Sequence, residues 1–231
     1  MKNRVKKVVK LLATSVLALP FLTSFSNAAT TFTDRSAFEQ TLGSSITDDY
    51  EDPGYTGGAT YPFFDDATMS AVLGQTDYRS TAFSDNNIVS DYGSGNHIYC
   101  AGCNGTFELG FTTTSVGSSD GVYGVGFNYR NSGEPAYLAF VTFGDGSTEN
   151  FSLGLNSGFE TFFGLTSDTF IKSVHIGLVG GGTTFYGNFQ IDNLTIGAVS
   201  VIPLPAGLPL FGAGLAIVSF ISLRRSYKLQ A

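Results

Sequence analysis

Tyr137-Leu138-Ala139-Phe140-Val141-Thr142-Phe143, followed by Asp145-Gly146 and then by Phe151, Leu153 and Leu155 on alternate positions, is the passage that decides the fold. A run rich in aromatic and β-branched side chains meets an Asp-Gly pair suited to a tight hairpin turn, and a second, alternating run leads back. The first run is apolar on both parities, which predicts a central strand covered on both sides. Upstream, Phe107, Leu109 and Phe111 alternate, as do Tyr123, Val125, Phe127 and Tyr129. Downstream, Val174, Ile176 and Leu178 share a face, Gly180-Gly181-Gly182 marks a turn, and a last strand runs from about Phe185 to Ile196. Short strands separated by Gly-rich turns predict an all-β, two-sheet antiparallel sandwich of jelly-roll type. One short helix is expected near its start, capped by Thr33, carrying Ala37, Phe38 and Leu42, and closed by Gly43.

Charge divides the chain of 231 residues into ends and middle. Five of its 12 Lys and Arg precede Leu11 and three follow Leu223. Arg35, Arg79, Arg130 and Lys172 alone face the 19 Asp and Glu, all of which lie in the middle, so that stretch carries a formal −15 against −7 for the whole. Such a balance repels phosphate backbones and excludes nucleic acid as a partner.

The ends read as targeting segments. Residues 1–28 have a basic start, an apolar stretch from Leu11 to Leu22, and small residues at Ser26 and Ala28, the form of a cleaved secretory signal peptide. Residues 29–198 are then one domain, and 199–206 a linker. Residues 207–223 are apolar enough for a single transmembrane helix, and the basic tail 224–231 behind it predicts a cytoplasmic C-terminus with the domain outside.

Ile202-Pro203-Leu204-Pro205-Ala206, the Gly-rich apolar span and Arg224-Arg225 together resemble the PEP-CTERM class of sorting signals, in its VPLPA-CTERM variant, with Ile202 in place of the usual first Val. The resemblance covers about a tenth of the chain and implies recognition by an exosortase-type membrane enzyme, in bacteria that make exopolysaccharide. The segments from Thr31 to Phe38 and from Phe189 to Ile196 also resemble the β-sandwich ectodomains of such proteins, which supports a fold more than an activity.

In the last strand, Phe189 and Ile191 share one parity while Leu194 and Ile196 take the other, so the inward face must switch at a bulge near Asp192-Asn193. In the jelly-roll binding modules that this domain resembles, an early acidic residue and one in the closing strand often share a structural Ca²⁺. Glu51 and Asp192 are the matching positions, and an acidic exported domain meets enough of that ion to fill weak sites. Cys100 and Cys103 are the two cysteines; export predicts a disulfide between them acting as a turn clip, although Cys-x-x-Cys also has redox spacing.

Catalytic residues are hard to find. Gly117-Ser118-Ser119-Asp120-Gly121 fits G-x-S-x-G, yet a strand rather than a helix follows Ser119. His97 reads as a loop residue and His175 as a surface residue on a strand. Paired carboxylates could serve a glycosidase, but Asp48-Asp49, Glu51-Asp52 and Asp65-Asp66 look more like loop ligands or solvated turns. The reading is therefore a non-catalytic surface or matrix protein, with a carbohydrate-binding face or a purely structural adhesive role, and a polysaccharide hydrolase as the alternative. Tyr55, Tyr61, Phe63 and Phe64 are the aromatics proposed for sugar stacking, against core packing as the simpler role.

Overall fold

The computed structural model of the protein describes residues 29–199, apart from 57–61, 92–94, 134–135, 159–160 and 185–186. The expected signal peptide 1–28, the expected sorting motif Ile202–Ala206, the apolar stretch 207–223, Arg224 and Arg225 lie outside the described residues. Among the described residues, no helix is long and apolar enough to cross a membrane.

The strands are β1 (Thr30–Phe32), β2 (Leu42–Asp48), β3 (Phe63–Phe64), β4 (Asp77–Ser80), β5 (Asn87–Asp91) and β6 (His97–Ala101). They continue with β7 (Phe107–Gly110), β8 (Val122–Asn131), β9 (Tyr137–Phe143), β10 (Thr148–Leu153), β11 (Thr161–Leu178) and β12 (Phe189–Val199). Every pairing among them is antiparallel. The 18-residue β11 serves two layers. Its first part, Thr161–Thr166, lies between β1 and β8, and β8 pairs in turn with β12, which carries β2 and β6 on its far side. Its second part, Ile171–Leu178, lies between β9 and β7, giving a second layer in the order β10-β9-β11-β7-β4.

The inward residues of the two layers meet in an aromatic core. Phe107 of the second layer packs edge-on to Tyr99 of the first at 5.0 Å and lies 6.1 Å from Phe189, which Tyr137 also meets at 5.0 Å. All four rings are fully buried. Burying side chains of this size supplies most of the driving force for a sandwich. The β9–β10 hairpin forms at Asp145-Gly146 as the sequence predicts, with Gly146 at φ 85° and its N–H donating to the Phe143 carbonyl.

One helix, α1 (Arg35–Glu39), caps the outer side of the first layer. Phe38 seats there because Gly124, Gly126 and Gly164 lie beneath it; a Cβ at each would come within 2.9–3.1 Å of its ring. Asp34, not Thr33, is the N-cap, its carboxylate accepting from the Ala37 N–H at 2.7 Å. Leu42 begins β2 instead of ending the helix, yet it still joins Phe38 and Phe162 in a small second core.

Other elements depart from expectation. Two further short helices form, α2 (Pro53–Thr56) and α3 (Asp66–Ala71), where the sequence shows no 3.6-residue period long enough to read. The last strand begins at Phe189, and Leu155 lies beyond β10 with 57% of its surface exposed. On β9 the outward residues Leu138 and Phe140 are only half-buried, so the second layer is covered on one side alone.

Thr30 pairs with Thr166, Thr166 with Gly124, and Gly124 with Gly197. This register brings the start of β1 and the end of β12 to the same end of the first layer.

Candidate functional site

The closing strand bulges where the parity switch requires it: the β8–β12 register shifts between Asp192 and Thr195, and Asn193 takes φ 52°. Arg35 is fastened to this bulge. Its Nε and Nη2 donate to Asn128 Oδ1 at 3.0 and 2.6 Å, Nη2 also to the Asn193 carbonyl at 2.7 Å, and Nη1 to Thr195 Oγ1 at 2.8 Å and Glu39 Oε1 at 3.1 Å. Its guanidinium lies 4.8 Å over the Phe162 ring. A guanidinium has five N–H donors and all five are committed, so Arg35 acts as a latch within the fold. The cleft of about 530 Å³ beside it, which Asp34, Thr47 and Asn128 also line, has its strongest donor already engaged.

Glu51 and Asp192 come within electrostatic range of each other. Burial is the main reason the Asp192 carboxyl titrates above its ordinary range; the Asn96 hydrogen bond opposes this, and the Glu51 charge adds to it. Both Glu51 oxygens turn to His97, accepting from its backbone N–H at 2.6 Å and meeting its Nδ1 at 2.7 Å. Asp192 Oδ2 accepts from Asn96 Nδ2 at 3.1 Å, while Oδ1 makes no hydrogen bond. Among the described residues, no three His, Cys, Asp or Glu side chains converge to hold a metal ion.

The aromatic cluster read as a stacking surface is divided by the fold. Tyr55 is fully buried, Phe64 packs edge-on against it at 6.4 Å, Tyr61 lies outside the described residues, and Phe63 stands 69% exposed on the two-residue edge strand β3. Tyr55 instead serves a buried polar network. Its hydroxyl donates to Asp48 Oδ2 at 2.6 Å, Tyr78 donates to the same oxygen at 2.8 Å, and the Tyr50 N–H donates to Oδ1 at 3.1 Å. Asp48 is thus a core residue and not a solvated turn. Burial raises its pKa despite these hydrogen bonds, and burial likewise pushes the hydroxyls of Tyr50, Tyr55 and Tyr78 upward.

The remaining acidic pairs shape local backbone. Asp49 accepts from the Glu51 N–H, Asp52 from the Gly54 N–H, and Asp65 caps α3 by accepting from the Thr68 N–H at 2.6 Å. Asp66 Oδ1 accepts from the Ser80 N–H and from Asn87 Nδ2. Ser119 sits in a reverse turn closed by paired Ser118–Gly121 backbone hydrogen bonds, leading directly into β8. Cys100 and Cys103 are disulfide-bonded at the end of β6, where Gly102 and Cys103 both take positive φ.

A different surface gathers chemistry: the outer face of the second layer. The register places Asn150 beside Phe140, Phe140 beside His175, His175 beside Glu108, and Glu108 beside Arg79, in one row across all five strands. The half-buried Phe140 and His175 rings lie 5.9 Å apart. His175 Nε2 is 3.3 Å from Thr81 Oγ1, and Arg79 pairs with Glu108. Burial depresses the His175 pKa, which keeps its imidazole neutral near pH 7. The parallel row Thr142, Ser173, Gly110 and Asp77 adds hydroxyls and a carboxylate, with Thr113 Oγ1 donating to Asp77. Phe140 escapes a reading of the sequence because apolarity on both parities predicts burial on both sides, whereas its side of β9 is only half-buried.

No protein-family model and no characterised protein matches the sequence. Solved structures with a similar arrangement include a family 29 carbohydrate-binding module variant, 19% identical over 64% of this chain and 98% of its own, at a TM-score of 0.33. Another variant of that module, solved with cellulohexaose, is 17% identical over 54% of this chain and 94% of its own, at a TM-score of 0.28. A family 11 carbohydrate-binding module from a Clostridium thermocellum cellulase is 9% identical over 68% and 97%, at a TM-score of 0.28. The fold stands on the strand register described above.

Proposed function

We propose that this chain is an exported, non-catalytic surface or matrix protein that binds carbohydrate on the open outer face of its second layer. The observation that carries this reading is the cross-strand row in which Phe140 is flanked by Asn150, His175, Glu108 and Arg79. A sugar ring offers an apolar C–H face and a rim of hydroxyls, and an accessible aromatic ring among fixed donors and acceptors complements both. Phe140→Ala is expected to reduce binding of the purified full-length protein to immobilised polysaccharide at least tenfold, about 1.4 kcal/mol. Undiminished binding in that variant would remove this face from consideration.

Export and anchoring belong to the same proposal, supported by residues 1–28, the Ile202–Ala206 motif and the apolar span before Arg224-Arg225. An exosortase-type membrane enzyme is the expected partner, and exopolysaccharide the expected surroundings. Deleting residues 202–231 should move the protein from the membrane fraction to the soluble exported fraction. Full-length protein recovered soluble with its tail uncut would contradict both anchoring and processing.

A further inference from the structure

Building on the carbohydrate-binding reading, we infer that the ligand is an uncharged glycan chain, lying across the strands from β10 to β4 rather than along them. Direction follows from register. Along β9, the neighbours of Phe140 on this face are Leu138 and Thr142, so movement along the strand finds little polar variety. Across the strands, the same ring has Asn150 on one side and His175, Glu108 and Arg79 on the other. Five strands at about 4.8 Å spacing make a row roughly 19 Å long, which exceeds one sugar ring and suits an oligosaccharide.

The absence of charge on the ligand follows from what the row presents. Its one cation, Arg79, is ion-paired with Glu108, and His175 is neutral near pH 7. Asp77 extends the acidic character of the neighbouring row, and Lys172 stands at the β11 irregularity, outside both. The domain around them carries four bases against 19 acids. A uronate, sulfate or phosphate polymer meets no uncompensated positive group within the row, the exposed Lys172 standing beside Ser173 at its margin, and approaches a field of its own sign. A neutral hydroxyl rim loses nothing to that field, and its O–H groups can donate to Glu108, Asp77 and the Asn150 side-chain oxygen.

The test uses the full-length protein against neutral glucan and mannan oligosaccharides, from disaccharide to hexasaccharide, and against alginate and polygalacturonate as polyuronates. Affinity for the neutral series should rise with length and then level off. Asn150→Ala and Arg79→Ala should weaken hexasaccharide binding several-fold while leaving the disaccharide unchanged. Phe140→Ala should weaken both, and Phe140→Tyr, which keeps the ring, should restore them even if the alanine variant folds poorly. Polyuronates should bind at least about tenfold more weakly at low salt. Stronger polyuronate binding that is lost in Phe140→Ala would overturn the uncharged class while leaving the face in place. Length-independent affinity would overturn the cross-strand path. Neutral binding indifferent to every row variant, or no binding to either polymer class, would overturn the carbohydrate reading itself.

Discussion

Asp48→Ala is expected to destabilise the protein by about 3–5 kcal/mol, because each buried donor left without an acceptor costs about 1–3 kcal/mol. Three donors converge on that carboxylate, from Tyr55, Tyr78 and the Tyr50 backbone, and Tyr78 has a second partner in the Tyr50 hydroxyl at 3.2 Å. Against a total stability of about 5–15 kcal/mol, such a loss should lower the melting temperature by about 10 °C or more. The charge also leaves a pH signature. The folded-state pKa lies above the ordinary 3.8, so the contribution of this group is complete below that value and is lost as pH rises through the folded one. Asp48→Asn keeps an acceptor and removes the charge; it should cost less than alanine and flatten stability in that window. Melting scans from pH 3 to 7 would decide the matter, and an alanine variant melting with the parent would show that the network contributes little.

Arg35→Ala should cost about 2–4 kcal/mol, read as a lower denaturation midpoint with an unchanged denaturant slope. It removes hydrogen bonds that join α1 to β8 and to the β12 bulge, together with the stacking on Phe162. Arg35→Lys should recover less than half of the loss, since a point charge cannot reproduce the planar fork. The exposed pair with Glu39 contributes little by comparison, and Glu39→Ala should fall within about 1 kcal/mol of the parent. A loss in Glu39→Ala equal to that in Arg35→Ala would mean that the surface ion pair, and not the latch, holds the helix in place.

Alternation made the sandwich strands legible, because burial on one face imposes a two-residue period wherever the sheet is regular. The bulge was legible for the same reason: Phe189 and Ile191 on one parity, Leu194 and Ile196 on the other, cannot all face inward without an extra residue. The helices α2 and α3 were not legible, since four and six residues are too few to display a period. Tyr55 was misplaced because an aromatic among acids and glycines looks the same in sequence whether its hydroxyl meets water or a buried carboxylate. The row centred on Phe140 was invisible for a deeper reason. Its members come from positions 79, 108, 140, 150 and 175, and only the pairing of five strands brings them side by side.

The closing strand has a mechanical meaning. β12 is bonded on both flanks, to β8 from Phe189 to Gly197 and to β2 from Leu194 to Val199, and the chain leaves it toward the tail at Val199. Tension entering from that end pulls along the strand axis and loads both ladders in shear, so their hydrogen bonds must yield together instead of opening one at a time. With the start of β1 at the same end, a pull on the tail passes directly into the middle of the first layer and is shared along the β12 ladders as far as the Asp192 bulge and Phe189 beyond it.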